Sequence, residues 1–207
     1  MLTLKERAEN YNRTFERYSR LAWLQASDRW LWGVWIIGNN YSNKNKYYGE
    51  YPPGYLDRVM SLFPDIDEDN EILHLFSGSL DESVEGIRVD INPELKPDIV
   101  GDAEKLSEFL PFSPKLIIAD PPYSEEDAKH YGTCMVNRNK VVQECAKVLK
   151  PGGFLVWLDQ VIPMYRREEL ELVGTIVIRS TNHRVKMVFI LQKVGFERTY
   201  ELVELNE

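Results

Sequence analysis

An α/β fold built on a mainly parallel, helix-covered sheet that ends in an antiparallel hairpin is predicted by three features of the sequence. From residue 71 onward, short apolar runs alternate with helix-length segments. Several of those runs end in an Asp or a Gly-bearing loop, which is where such sheets place ligands. The last two runs, at about 173–180 and 185–193, are separated by the turn Asn182-His183-Arg184, a hairpin signal.

Each element follows in order. Leu4, Ala8, Tyr11, Phe15, Tyr18 and Ala22 recur at helical spacing and predict one helix over 3–26, broken by Ser27-Asp28. The dense apolar run 30–37 is expected to be mostly buried, with Trp23, Trp30, Trp32 and Trp35 in the core or a subunit contact. Residues 39–49 are rich in turn formers and read as a loop. Pro52-Pro53-Gly54 leads into a helix at about 54–63, and 65–70 is an acidic turn. Residues 1–70 are therefore read as an N-terminal helical and aromatic extension, and 71–207 as the sheet domain. Strands are predicted at 72–76, 86–90, 98–100, 115–119 and 154–158. Helices are predicted at 137–149, closed by Lys150-Pro151-Gly152-Gly153, and at 165–172.

Composition narrows the function. The 207 residues are 43% hydrophobic and 28% charged, an ordinary globular balance. No apolar run is long enough to span a membrane, and the charged N-terminus lacks a signal core, so a cytoplasmic protein is expected. Cys134 and Cys145 have no metal-ligand spacing and read as reduced thiols, one in a loop and one in a core helix; no metal site is expected. The net charge of −8 argues against strong unaided binding to a nucleic-acid duplex.

Four segments fall at predicted strand ends: Phe76-Ser77-Gly78-Ser79, Asp90, Gly101-Asp102-Ala103 and Asp120-Pro121-Pro122-Tyr123. Their shared position points to one site. Together they resemble the amino-group branch of the S-adenosylmethionine-dependent DNA methyltransferases, over about residues 50–193. The strongest element is the apolar strand running into Asp-Pro-Pro-Tyr. The resemblance implies a Rossmann-like methyltransferase fold with S-adenosylmethionine as cofactor. Phe76, Ser77 and Gly78 would form the cofactor loop, where Gly lets the backbone come close. Asp90 would accept from the ribose hydroxyls, and Asp102-Ala103 would meet the adenine. Asp102 also fits a helix N-cap. Tyr51-Pro52-Pro53-Gly54-Tyr55 resembles, more loosely, a motif that contacts the cofactor's methionine end. Three features depart from the pattern: His74 replaces a common acidic residue, Leu80 replaces a second Gly, and only a short connection joins Gly78 to Asp90. The first covering helix must be reduced to a turn.

An exocyclic base amine is a poor nucleophile because its lone pair is delocalised into the ring. Asp120 and the Pro121 carbonyl could each accept one amino hydrogen, and Tyr123 could stack on the base. Positioning of this kind can supply about 7–11 kcal/mol of a barrier. The resemblance implies adenine N6 in DNA first, with cytosine N4 or an RNA base amine such as guanine N2 as alternatives. A non-catalytic subunit that keeps the fold is a further reading, motivated by the three departures. Lys44, Lys46 and Tyr48, near Tyr47 and Tyr51, mix cations with aromatics as nucleotide-binding surfaces do. Arg179, His183, Arg184 and Lys186, with Arg166 and Arg167, make a second basic edge. His130 and His183 carry no partner pattern, and His74 reads as a satisfied core histidine. Target reading falls to the first 70 residues and the hairpin, or to a partner subunit or second copy.

Overall fold

A computed structural model describes residues 1–18, 22–38, 51–66, 69–130, 133–180 and 185–195. Its nine strands form one sheet in the order β1-β2-β8-β9-β7-β6-β3-β4-β5. They are β1 (Ala22–Ala26), β2 (Leu31–Ile37), β3 (Ile72–Leu75), β4 (Ile87–Asp90), β5 (Ile99–Val100), β6 (Leu116–Ala119), β7 (Phe154–Asp159), β8 (Leu170–Ser180) and β9 (Val185–Lys193). Only β1 and β9 run against the rest. The mainly parallel sheet with its C-terminal hairpin is thus as predicted.

Helices α1 (Leu4–Thr14) and α2 (Tyr55–Met60) lie over one face, with a core of Tyr11, Trp35, Tyr55, Phe63, Ile118 and Val156. Helices α3 (Leu106–Phe109) and α5 (Arg138–Val148) lie over the other, where Leu75, Ala119, Val142, Cys145 and Trp157 pack. The short α4 (Glu125–His130) follows β6. Cys145 is buried and Cys134 exposed, both as free thiols. Among the described residues no helix is long and apolar enough to cross a membrane.

Two helix predictions are corrected. The helix expected over 3–26 stops at Thr14, and Ala22–Ala26 is a strand. Phe15 keeps the helical contact with Tyr11, at 5.0 Å between ring centroids. Past it, the apolar run 31–37 needs a ladder partner, and 22–26 supplies one, turned by the Ser27 N–H donating to Trp30 O at 2.7 Å. The Asn12 side chain then exchanges hydrogen bonds with the Leu24 backbone at 2.7 and 2.9 Å. This hairpin alternates: Leu24, Leu31, Trp35 and Ile37 are buried, while Trp23, Trp32 and Val34 are exposed. The expectation of a mostly buried run therefore holds for one face only. The helix expected at 165–172 is a single turn around Arg166–Glu169, followed by β8. There Leu170 and Leu172 alternate as strand residues and pair with Lys193 and Leu191 of β9.

The connection between β3 and β4 contains turns and no helix, as the short spacing requires. From β3 the chain passes to β4 on one side, and β6 pairs on the other. The carboxyl ends of β3 and β6 therefore flank the topological switch point, where ligands of open α/β sheets bind.

Candidate active site at the switch point

Asp120 is the first residue past β6. Pro121 and Pro122 are buried and have no N–H with which to prolong the ladder, so the chain leaves the sheet at the carboxylate. Tyr123 folds back and donates its hydroxyl to Asp120 Oδ1. Lys186 donates from Nζ to Tyr123 Oη at 2.9 Å and lies 4.3 Å from the ring centroid. Desolvation pushes the half-buried Asp120 carboxyl up to about 6, against the pull of Lys186 and of the Tyr123 hydrogen bond.

A layer of tyrosine lies within electrostatic reach. Tyr51 stacks on Tyr55 at 5.4 Å and donates to the Ile118 carbonyl at 3.2 Å, two residues before Asp120. Burial raises Tyr51, Tyr55 and Tyr123 well above the usual phenol range, with Asp120 adding to each. All three are therefore neutral hydroxyls at physiological pH. The Tyr55 hydroxyl is buried and has no partner among the described residues. His74 bridges inward: its Nε2 lies 2.9 Å from the Glu85 carbonyl, which can only accept, so Nε2 carries the proton. Unprotonated Nδ1 then lies 3.4 Å from the Tyr51 hydroxyl, whose single proton is shared between it and the nearer Ile118 carbonyl. Burial lowers the His74 pKa and keeps the ring neutral, which makes it the satisfied core histidine the sequence suggests.

The Asp-Pro-Pro-Tyr turn is held from the other side by a pair that sequence reasoning missed. Arg138, at the start of α5, donates from Nε to Asp159 Oδ2 at 2.6 Å and from Nη2 to the Tyr123 carbonyl at 3.0 Å. Asp159 is fully buried at the end of β7 and also accepts from the Gln160 N–H at 2.7 Å. Asp159 is a strand-terminal Asp, the same signal that singled out Asp90 and Asp120. Arg138 carried no signal of its own.

The adjoining loop starts at Phe76, whose φ of 62° places a non-glycine residue in the left-handed region. Such strain concentrates at functional sites. Gly78, at φ 56°, donates its N–H to Asp90 Oδ2 at 2.9 Å, while Asn92 N–H reaches Asp90 Oδ1 at 2.9 Å. Asp90 thus ties the loops after β3 and β4 together and keeps further lone pairs for a ligand. The Ser77 hydroxyl is buried without a partner among the described residues. Gly101 donates its N–H to the Asp90 carbonyl at 3.0 Å, and a Cβ there would sit 2.3 Å from the Phe109 ring. Asp102 Oδ1 caps the following turn through the Glu104 N–H at 2.9 Å, so the N-cap role is present; Ala103 is buried. Ile91 and Val100, both about half exposed at 52% and 54%, stand beside Asp90 at the ends of β4 and β5. They too escaped the sequence reading.

The structure therefore gathers Asp120, Pro121, Pro122 and Tyr123 in one turn. It joins Phe76, Ser77, Gly78, Asp90, Asp102 and Ala103 along the neighbouring strand ends. Lys44, Lys46, Tyr47, Tyr48, His183 and Arg184 lie outside the described residues. Among the described residues no cluster of metal-ligating side chains occurs.

The sheet has the Rossmann-like α/β arrangement. Among solved structures it is similar to TrmN from Thermus thermophilus, at 17% identity and a TM-score of 0.52, over 71% of this chain and 50% of that one. It is also matched by an rRNA methylase from Streptococcus thermophilus, at 10% identity and a TM-score of 0.43, over 63% of this chain and 91% of that one. The chain spans about half the length of TrmN. No family model matches the sequence, and no curated protein is similar to it.

Proposed function

We propose that this chain is an S-adenosylmethionine-dependent methyltransferase acting on an exocyclic amino group of a nucleic-acid base. One observation carries the reading. A carboxylate at a strand end, set in a proline turn and surrounded by neutral tyrosines, adjoins a loop with an orphaned buried hydroxyl. The loop suits the cofactor. Ser77 has an unused hydroxyl, Asp90 has lone pairs left for vicinal hydroxyls, and Ile91 and Val100 offer apolar cover for an adenine ring.

When bound, S-adenosylmethionine supplies a methyl carbon made electrophilic by its sulfonium. The chain's own residues then have three tasks. Asp120, whose Oδ1 is held by Tyr123, would offer Oδ2 to one amino hydrogen, and the Pro121 carbonyl would accept the second. This aims the nitrogen lone pair, and positioning rather than proton abstraction lowers the barrier. Arg138 and Asp159 fix the turn from beneath, so the acceptors need not reorganise.

RNA is placed ahead of DNA as the substrate, because single-stranded RNA loops present bases already unstacked, and a chain with net charge −8 is poorly suited to opening a duplex. Adenine N6 in DNA, suggested by the Asp-Pro-Pro-Tyr motif, is the second reading. A partner subunit or second copy would add the target-reading surface.

The test is labelled-methyl transfer to DNA, ribosomal RNA and transfer RNA, followed by nucleoside analysis. Asp120→Ala should cut transfer on the order of 10²-fold or more while cofactor affinity stays nearly intact. Asp90→Ala should instead weaken cofactor binding about tenfold or more, as two loops lose their tie. Full transfer by Asp120→Ala would contradict the assignment.

A further inference from the structure

Lys186 reaches the site from a strand that the Asp-Pro-Pro-Tyr turn does not adjoin. Strand β9 runs antiparallel, so it begins at the carboxyl end of the sheet, where the parallel strands finish. Met187 pairs with Asp159, the last residue of β7. Lys186 therefore stands one position beyond the end of β7 and extends across it toward the turn after β6. Its ammonium donates to Tyr123 Oη at 2.9 Å and rests 4.3 Å from the Tyr123 ring centroid. The same phenol donates onward to Asp120 Oδ1. A continuous chain of donors thus runs from ammonium to phenol to carboxylate.

We infer that Lys186 is a positioning residue of this site, holding Tyr123 on Asp120 so that one carboxylate oxygen is fixed and the other is left for the incoming amine. The inference rests on the amino-methyltransferase reading and adds to it a cation that acts through the tyrosine. Two consequences follow from elementary electrostatics. The phenol, polarised by the ammonium, is a stronger donor to Asp120. The nearby positive charge also favours the ionised carboxylate, the form that can accept an amino hydrogen. The groups that face Asp120 are Lys186 from β9, Tyr123 from its own turn, Tyr51 and Tyr55 from the α2 side, Asp127 from α4 and Asp159 from β7. Lys186 is the cation among them. The two aspartates and desolvation push the other way. Removing Lys186 leaves the Tyr123 hydrogen bond alone to oppose them.

The experiment compares the full-length protein with Lys186→Met, which keeps the apolar stem, and Lys186→Arg, which keeps the charge. The Asp120 carboxyl is followed by carbon NMR titration, without any substrate. Methyl transfer is measured from pH 5 to 8, and cofactor affinity by calorimetry. In Lys186→Met the carboxyl midpoint should rise by about one pH unit, transfer at pH 6.5 should fall about threefold, and cofactor affinity should hold. Lys186→Arg should restore the midpoint. An unchanged midpoint in Lys186→Met overturns the inference, and so does a loss of transfer that is equal at every pH. A shifted midpoint in a protein that transfers methyl to neither DNA nor RNA supports the Lys186 assignment and overturns the amino-methyltransferase reading instead.

Discussion

Asp120 is costly to the fold as an ionised side chain, and that cost is measurable. Its carboxyl titrates at about 6 in the folded chain against an ordinary 3.8. The folded state therefore holds the proton more tightly, and stability falls as pH rises through the window from about 4 to about 6. Above it the loss amounts to about 1–3 kcal/mol, allowing for solvent screening. Asp120→Asn keeps the shape and an acceptor for Tyr123 without the charge. Its unfolding midpoint in urea at pH 7 should rise by that margin, and the gain should vanish at pH 4. A variant less stable than the parent at pH 7 would contradict the desolvation account. Asp90, Asp102, Asp120 and Gly78 could be picked out from sequence because each ends a readable strand. Lys186 could not be joined to them, since only the order of strands brings the start of β9 above the end of β7.

The turn after β6 depends on α5 and β7 rather than on its own four residues. Arg138 satisfies two carbonyls of the turn while neutralising the buried Asp159. Removing it leaves a buried carboxylate with no cation paired to it among the described residues. Arg138→Ala should therefore destabilise the chain by about 3 kcal/mol, and it should lower transfer more than its stability loss explains. Equal stability of parent and variant by denaturant titration would remove this support from the site. Helix α5 was evident from its apolar spacing and its Pro-Gly-Gly stop, both local signals. The helix expected over 3–26 had helical spacing too, yet it ends at Thr14, and the one expected at 165–172 is a single turn. There the need of β2 and β9 for ladder partners prevailed over local pattern, and such a need is set by residues elsewhere in the chain.

Across the whole molecule, the alternation of strands and helices was enough to show a mainly parallel sheet, and the hairpin at its end was equally plain. The sequence was silent on how the N-terminal segment joins it. Strand β2 pairs in parallel with β8, and Gly33 allows this close hairpin, since a Cβ there would meet Leu24 at 2.3 Å. The extension thus continues the sheet on the edge opposite β5. The order of the remaining strands puts the loops after β3, β4 and β6 side by side at one end of the sheet. Everything proposed for this chain requires the cofactor to lie there. A crystal structure of the protein with S-adenosylmethionine measures this directly. The ribose should contact Asp90, the adenine should rest against Ile91 and Val100, and the sulfonium methyl should point to the space beside Asp120 and Tyr123. A cofactor bound elsewhere, or an Asp120 carboxylate turned away from the methyl, would contradict the account.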